Sequence, residues 1–223
     1  MHQQKGKKIF FYIFLLIFLG SISNIKINNF EFNKIKTINV YGLDKKNNKN
    51  ISDSLKSFYM KNIFFINSDN FSKLIESNKL VENYKITKKY PSTIDIEIKK
   101  TKFIAKLKYD EKIYIVGTNG KLLNNNEMNL ELPFIFGNPE VKEILLLKKI
   151  IDKSKFSFDQ IKNLYYFQSK RWDVELNNKI LIKLPKKNIE TTLNYIFQLI
   201  KNKNLQKVSV YDARINNQII IND

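Results

Sequence analysis

The chain contains no cysteine and one histidine, His2. Without cysteine there is neither a disulfide framework nor a thiolate metal site. With its one imidazole at position 2, the rest of the chain lacks the commonest general base and zinc ligand. Carboxylate-only chemistry stays open, but no acidic pair stands out in a motif and no Gly-x-Ser-x-Gly elbow occurs. We therefore expect no enzyme, no cofactor, no metal and no small-molecule substrate. Arginine is nearly absent as well. It stands at 171 and 214 alone, in a chain whose other cations are lysines. The guanidinium is a rigid planar fork that lysine cannot imitate, so these two positions are candidates for recognition.

Negative charge is sparse too: 21 acidic residues face 39 basic ones, a net charge of +18. Such a balance raises the question of nucleic acid. The lysines, however, run through every predicted element and do not gather on one helix with interleaved aromatics. No nucleic-acid partner is expected. A lysine-rich surface does suit an anionic lipid leaflet, at about 1 kcal/mol for each lysine near the surface. Apolar residues make up 43% of the chain, enough for a packed core.

Long apolar runs are missing except for one, residues 9–22, preceded by Lys5, Lys7 and Lys8. A charge-free stretch over 9–25 rises about 25 Å as a helix, near the lower limit for crossing a bilayer. Lys7, Lys8 and Lys26 can snorkel to the two interfaces. The positive flank predicts a short cytoplasmic tail, 1–8, a transmembrane helix, 9–25, and an exported remainder. A cleaved secretory signal ending near Ser21-Ile22-Ser23 is the competing reading.

Beyond the apolar run, residues 34–40 read as a strand and 44–50 as a polar loop. Ser52 is the expected cap of a helix carrying Ile51, Leu55, Phe58 and Tyr59. Ser68 or Asp69 is the expected cap of a second helix with Phe71, Leu74 and Ile75. Strands at 81–88 and 93–99 follow, the second alternating Ile94, Ile96 and Ile98 with charged residues. This β-α-α-β-β unit places two helices on one face of a three-stranded sheet. From 102 onward strands dominate. A hairpin turns about Asp110-Glu111, and Asn119-Gly120 signals a tight turn. Leu132-Pro133-Phe134-Ile135-Phe136-Gly137 is a short bounded apolar segment. Helices are predicted over 141–152 and after Asn188, and strands over 161–167, 171–176, 180–184, 207–214 and 218–221. The domain boundary falls near residue 100.

The chain resembles the FtsQ/DivIB family of bacterial cell division proteins. The resemblance rests on Ile38-Asn39-Val40-Tyr41-Gly42, Asn62-Ile63-Phe64 and Lys89-Tyr90-Pro91-Ser92-Thr93-Ile94. It continues with Gly117-Thr118-Asn119-Gly120 and the 132–137 segment. The most specific matches are Arg171-Trp172-Asp173-Val174-Glu175-Leu176, Lys183-Leu184-Pro185 and Val210-Tyr211-Asp212-Ala213-Arg214. These stand in the family's order and spacing. The resemblance implies an α+β chain: a single transmembrane helix, a POTRA domain over 33–100, and a mainly antiparallel β domain with flanking helices over 101–223. It further implies a non-enzymatic, single-pass scaffold of the inner membrane, its N-terminus cytoplasmic and its domains periplasmic. Such a scaffold works at the division septum and holds FtsB- and FtsL-like partners.

The expected contact is the last strand, where Ile219-Ile220-Ile221 is strongly β-prone and offers an edge for strand addition. Arg214 would meet a partner carboxylate in a bidentate pair, and the resemblance implies that it lies in the FtsB-binding face, followed by Ile215, Asn216, Asn217, Gln218 and Ile219. Arg171 and Trp172 are further candidates, with a core role for the Trp as the alternative. A tail of about eight residues and an end at Asp223 would exclude the contacts that longer relatives make beyond those points. A POTRA-bearing export or outer-membrane assembly factor is the other class considered. The chain is too short for the barrel that such proteins carry.

Overall fold

A computed structural model describes residues 3–22, 33–109, 111–124, 130–202, 207–215 and 218–222. Its first element, α1, is Gln3–Ile22. This corrects the expected membrane span. The helix takes in Lys5, Lys7 and Lys8, and its uncharged part is residues 9–22, about 21 Å long against a hydrocarbon core of about 30 Å. Residues 23–25, needed to lengthen it, lie outside the described residues. Among the described residues, no helix is long and apolar enough to cross a membrane. The single-pass topology rested on that span and loses its support.

Compactness divides the chain into two units. The first comprises Met1–Ile75 and Lys85–Glu97, the second Glu76–Tyr84 and Ile98–Asp223. A three-stranded sheet is built from β1 (Thr37–Tyr41), β2 (Val81–Lys89) and β3 (Thr93–Lys100), with β3 in the middle and β1 parallel to it. Ile94, Ile96 and Ile98 are all buried, as their alternation predicts.

The polar stretch expected as a loop is in fact α2 (Lys45–Ser54). Asp44 caps it, its carboxylate accepting the Asn47 N–H at 3.0 Å, while Asn48 clasps the Leu43 backbone in both directions. Capping and one apolar anchor, Ile51, outweigh a composition that reads as loop. Ser52 therefore lies inside the helix. Asn67, rather than Ser68 or Asp69, caps α3 (Ser68–Glu76), accepting from Asp69 N and Asn70 N.

The second unit holds one nine-stranded sheet. Its strands are β4 (Phe103–Tyr109), β5 (Lys112–Gly117), β6 (Leu122–Asn124), β7 (Phe134–Phe136), β8 (Ile161–Tyr166), β9 (Trp172–Leu176), β10 (Leu181–Lys183), β11 (Val210–Asp212) and β12 (Ile220–Asn222). Their order across the sheet is β12-β11-β10-β9-β8-β7-β4-β5-β6. Three neighbour pairs, β4·β7, β7·β8 and β10·β11, are parallel and the rest antiparallel. Asp110, expected in the β4–β5 turn, lies outside the described residues.

One row of the sheet fixes the core. Leu107, Ile135, Leu164, Val174, Ile182 and Tyr211 stand in register on successive strands and are all buried. Residues Ile144, Leu147 and Ile151 of α4 (Val141–Lys153) belong to the same core, as do Leu193 and Ile196 of α5 (Ile189–Ile200). Asn188 occupies the first cap position of α5 in the left-handed region. It contributes its backbone oxygen, which accepts from Thr191 and Thr192, rather than its side chain. Gly137 ends β7 at φ +98°, where a Cβ would sit 2.3 Å from the Tyr166 carbonyl oxygen, so the segment must end in glycine.

Candidate functional site

The core row runs on past Tyr211 to Ile221 of β12, and there the burial stops. Tyr211 is inaccessible, whereas Ile221 is 40% exposed. β12 is the terminal strand of the sheet and all three of its residues are exposed. A strand in this position carries backbone donors and acceptors with no strand on its outer side. Beside it lies a cleft of about 530 Å³ between α5 and the terminal hairpin, lined by Thr192, Tyr195, Leu199, Ile215, Ile219 and Ile221. Tyr195 and Ile215 are both more than half exposed. A larger cleft of about 840 Å³, lined by Lys102, Pro133, Lys148, Asp152, Phe158 and Lys162 among others, takes no residue from the terminal hairpin.

On the opposite face a second row carries charge to the same edge: Tyr165, Asp173, Lys183, Asp212 and Ile220 stand in register on β8 to β12. The two arginines serve this row. Arg214 Nε donates to Asp212 Oδ1 at 2.7 Å and Oδ2 at 2.9 Å, and its Nη2 also pairs with Oδ2. The fork expected to meet a partner carboxylate is thus paired with Asp212 within the chain. Two positions along an extended chain return to one face, so Asp-x-Arg closes on itself before any partner arrives. Arg171 is placed similarly. Its Nε donates to Asp173 at 3.2 Å and its guanidinium lies 4.3 Å over the Phe167 ring.

These environments set the two carboxyls apart. Hydrogen bonds from Arg214 hold Asp212 below the usual carboxylate range. Burial pushes Asp173 above it, although Arg171 pulls the other way. On the neighbouring row, Glu175 accepts from Asn163 and the Tyr165 hydroxyl, which lowers it.

Trp172 is corrected from candidate interface to core. It is 6% exposed and packs against Tyr166 at 4.7 Å. Ile219 is half-buried against the core and precedes β12 instead of belonging to it. Ile215 and Gln218 are exposed, while Asn216 and Asn217 lie outside the described residues. The structure thus brings Arg214, Ile215, Gln218 and Ile219 to one edge, and it sets Trp172 apart. Sequence reasoning missed Asp173, Lys183, Asp212 and Tyr195 as parts of this edge, while it did place Ile221 in the edge strand. The i, i+2 spacing of Arg171 with Asp173 and of Asp212 with Arg214 was a usable signal for the two aspartates. Tyr195 had none, since its proximity to the hairpin is tertiary.

The FtsQ-type POTRA domain family matches residues 33–100, and the C-terminal domain of cell division protein FtsQ/DivIB matches residues 105–214. The chain is 26% identical over 164 residues to the cell division protein FtsQ of Rickettsia prowazekii (strain Madrid E), covering 71% of this chain and 61% of that protein. It is 25% identical over 193 residues to that of Rickettsia bellii (strain RML369-C), covering 84% and 72%. The chain thus spans about three fifths of the length of the first of these relatives. The solved major extracytoplasmic domain of DivIB from Geobacillus stearothermophilus, in its trans isomer, shares 13% identity at a TM-score of 0.35, covering 45% of this chain and 92% of that one. With two consecutive family domains matching from residue 33 to residue 214, this chain belongs to the FtsQ/DivIB family of cell division proteins.

Proposed function

We propose that the chain is a non-enzymatic scaffold of the bacterial divisome. It acts at the division septum and holds FtsB- and FtsL-like proteins by adding a partner strand to the free edge of β12. The observation that carries this reading is the core row that ends uncovered at Ile221 on a terminal strand. A partner strand there satisfies the outer backbone groups, and a following apolar side chain can enter the cleft beside Tyr195. Arg214, with its side chain still 44% exposed, stands at the entrance of the hairpin. Its fork is held in place by Asp212, a pre-ordered donor rather than a loose one.

Titration calorimetry with an FtsB-like partner tests the reading. Pro at 219, 220 or 221 removes a backbone donor, and the position whose N–H faces outward should lose binding at least tenfold while its neighbours lose less. Arg214→Ala should weaken binding by roughly 2 kcal/mol if the arginine is desolvated in the complex. Binding that tolerates every hairpin change and instead follows residues of the first unit would exclude the β12 edge.

A further inference from the structure

The first unit carries an exposed aromatic tip for which the fold has no use. Asn62 sets it up. Its side-chain oxygen accepts the Phe64 N–H at 2.9 Å and starts a 3-10 turn, Ile63–Phe65. Successive side chains on such a turn point about 120° apart, so one faces inward and two face out. Ile63 is fully buried, and Phe64 and Phe65 are 53% and 85% exposed. Tyr90, 59% exposed, stacks on Phe64 with centroids 4.9 Å apart. Met60 joins them at 52% exposure, held by its N–H to the Ile35 carbonyl.

Three segments meet here. Lys34 bridges Asn62, Ile35 N–H donates to Lys61 O, and Lys36 N–H donates to Ser92 O. Residues 33–37, 60–68 and 86–94 together contain five lysines and no carboxylate. Lys36, Lys61, Lys88 and Lys89 are all exposed. Lys89 is paired with Asp95, which lies just past the third segment, so part of the positive charge is offset locally. The Lys61 ammonium lies 4.7 Å over the ring of Phe58, at the base of the same segment. Large exposed rings on segments rich in lysine suit the interface of a bilayer, where rings enter the headgroup layer and ammonium groups meet lipid phosphates.

We propose that Phe64, Phe65 and Tyr90, with the exposed Lys36, Lys61 and Lys88 on the segments that meet there, dock the first unit peripherally on an anionic phospholipid surface. This inference is independent of the β12 edge.

The chain has no cysteine, so one introduced thiol labels one place. In the full-length protein, Ser68→Cys carrying an NBD fluorophore reports the tip, and Ser169→Cys in the second unit serves as control. With vesicles containing 30% phosphatidylglycerol, the label at 68 should shift to the blue and be quenched by doxyl lipids, while the label at 169 stays water-like. In a Phe64→Ser/Phe65→Ser background, or with Lys36, Lys61 and Lys88 changed to Glu, quenching at 68 should fall at least tenfold. Unchanged thermal unfolding of the variants shows that the fold survives. The proposal is overturned if the label at 68 stays water-like with vesicles, or if pure phosphatidylcholine gives the same response. It is also overturned if the shift grows with protein concentration in the absence of lipid, which assigns the patch to a second copy of the chain. Quenching that survives both sets of substitutions overturns it as well.

Discussion

Asp173 and Asp212 stand on one row of the sheet, either side of Lys183, yet their proton affinities move in opposite directions. Asp212 is held low by Arg214, so the folded state binds its proton less readily than the unfolded chain. That contribution is complete above the ordinary carboxylate range and is lost as pH falls through the depressed folded value. Asp173 is raised by burial, so its contribution favours the protonated form and is lost as pH rises through the folded value. Chemical unfolding as a function of pH checks this. Asp212→Asn should flatten the acid limb below about pH 4. Asp173→Asn should compare progressively better with the parent as pH rises above that point. Trp172 allows a second test at the same scale. Its ring is core, so Trp172→Ala should cost about 3–5 kcal/mol in unfolding free energy. A surface residue would lose less than about 0.5 kcal/mol.

At the scale of elements, α2 shows how far capping can override composition. Its ten residues are mostly Lys and Asn, with one buried side chain, Ile51. The Asp44 cap supplies a hydrogen bond that the first turn otherwise lacks. Asp44→Ala should lower stability by about 1 kcal/mol, read as a shift of several degrees in thermal unfolding. β12 is the converse case. Its sequence is strongly β-prone, yet the strand is three residues long and exposed throughout. Short edge strands limit uncontrolled pairing while leaving room for one partner.

For the whole molecule, the second unit includes Glu76–Tyr84, a segment that precedes most of it in the chain. A polar network holds that segment. Asn119 donates to the carbonyls of Lys79 and Val81, both at 2.9 Å. Glu82 accepts from Thr101 at 2.9 Å and from Thr118 at 2.6 Å. Lys121 reaches the carbonyl of Asn78 and that of Glu76. A fragment covering 76–223 should therefore unfold at a higher denaturant midpoint than one covering 102–223. Asn119→Ala should erase about 1–3 kcal/mol in the longer fragment and little in the shorter. Equal midpoints for the two fragments would show that the network contributes nothing.

Much of this architecture is legible in the residues themselves. Alternation at Ile94, Ile96 and Ile98 sets a buried strand, spacing at Leu193, Ile196 and Phe197 sets a helix face, and Asn119-Gly120 sets a turn, because periods of 2 and 3.6 and left-handed turn positions are local properties. The ordered motifs from Ile38 to Arg214 carried the family for the same reason. Tertiary structure decided the rest. It made Trp172 core and left Ile221 uncovered at the end of a buried row. Burial and pairing depend on which strands become neighbours, and β10 lies beside β11 across 26 intervening residues that no local pattern spans.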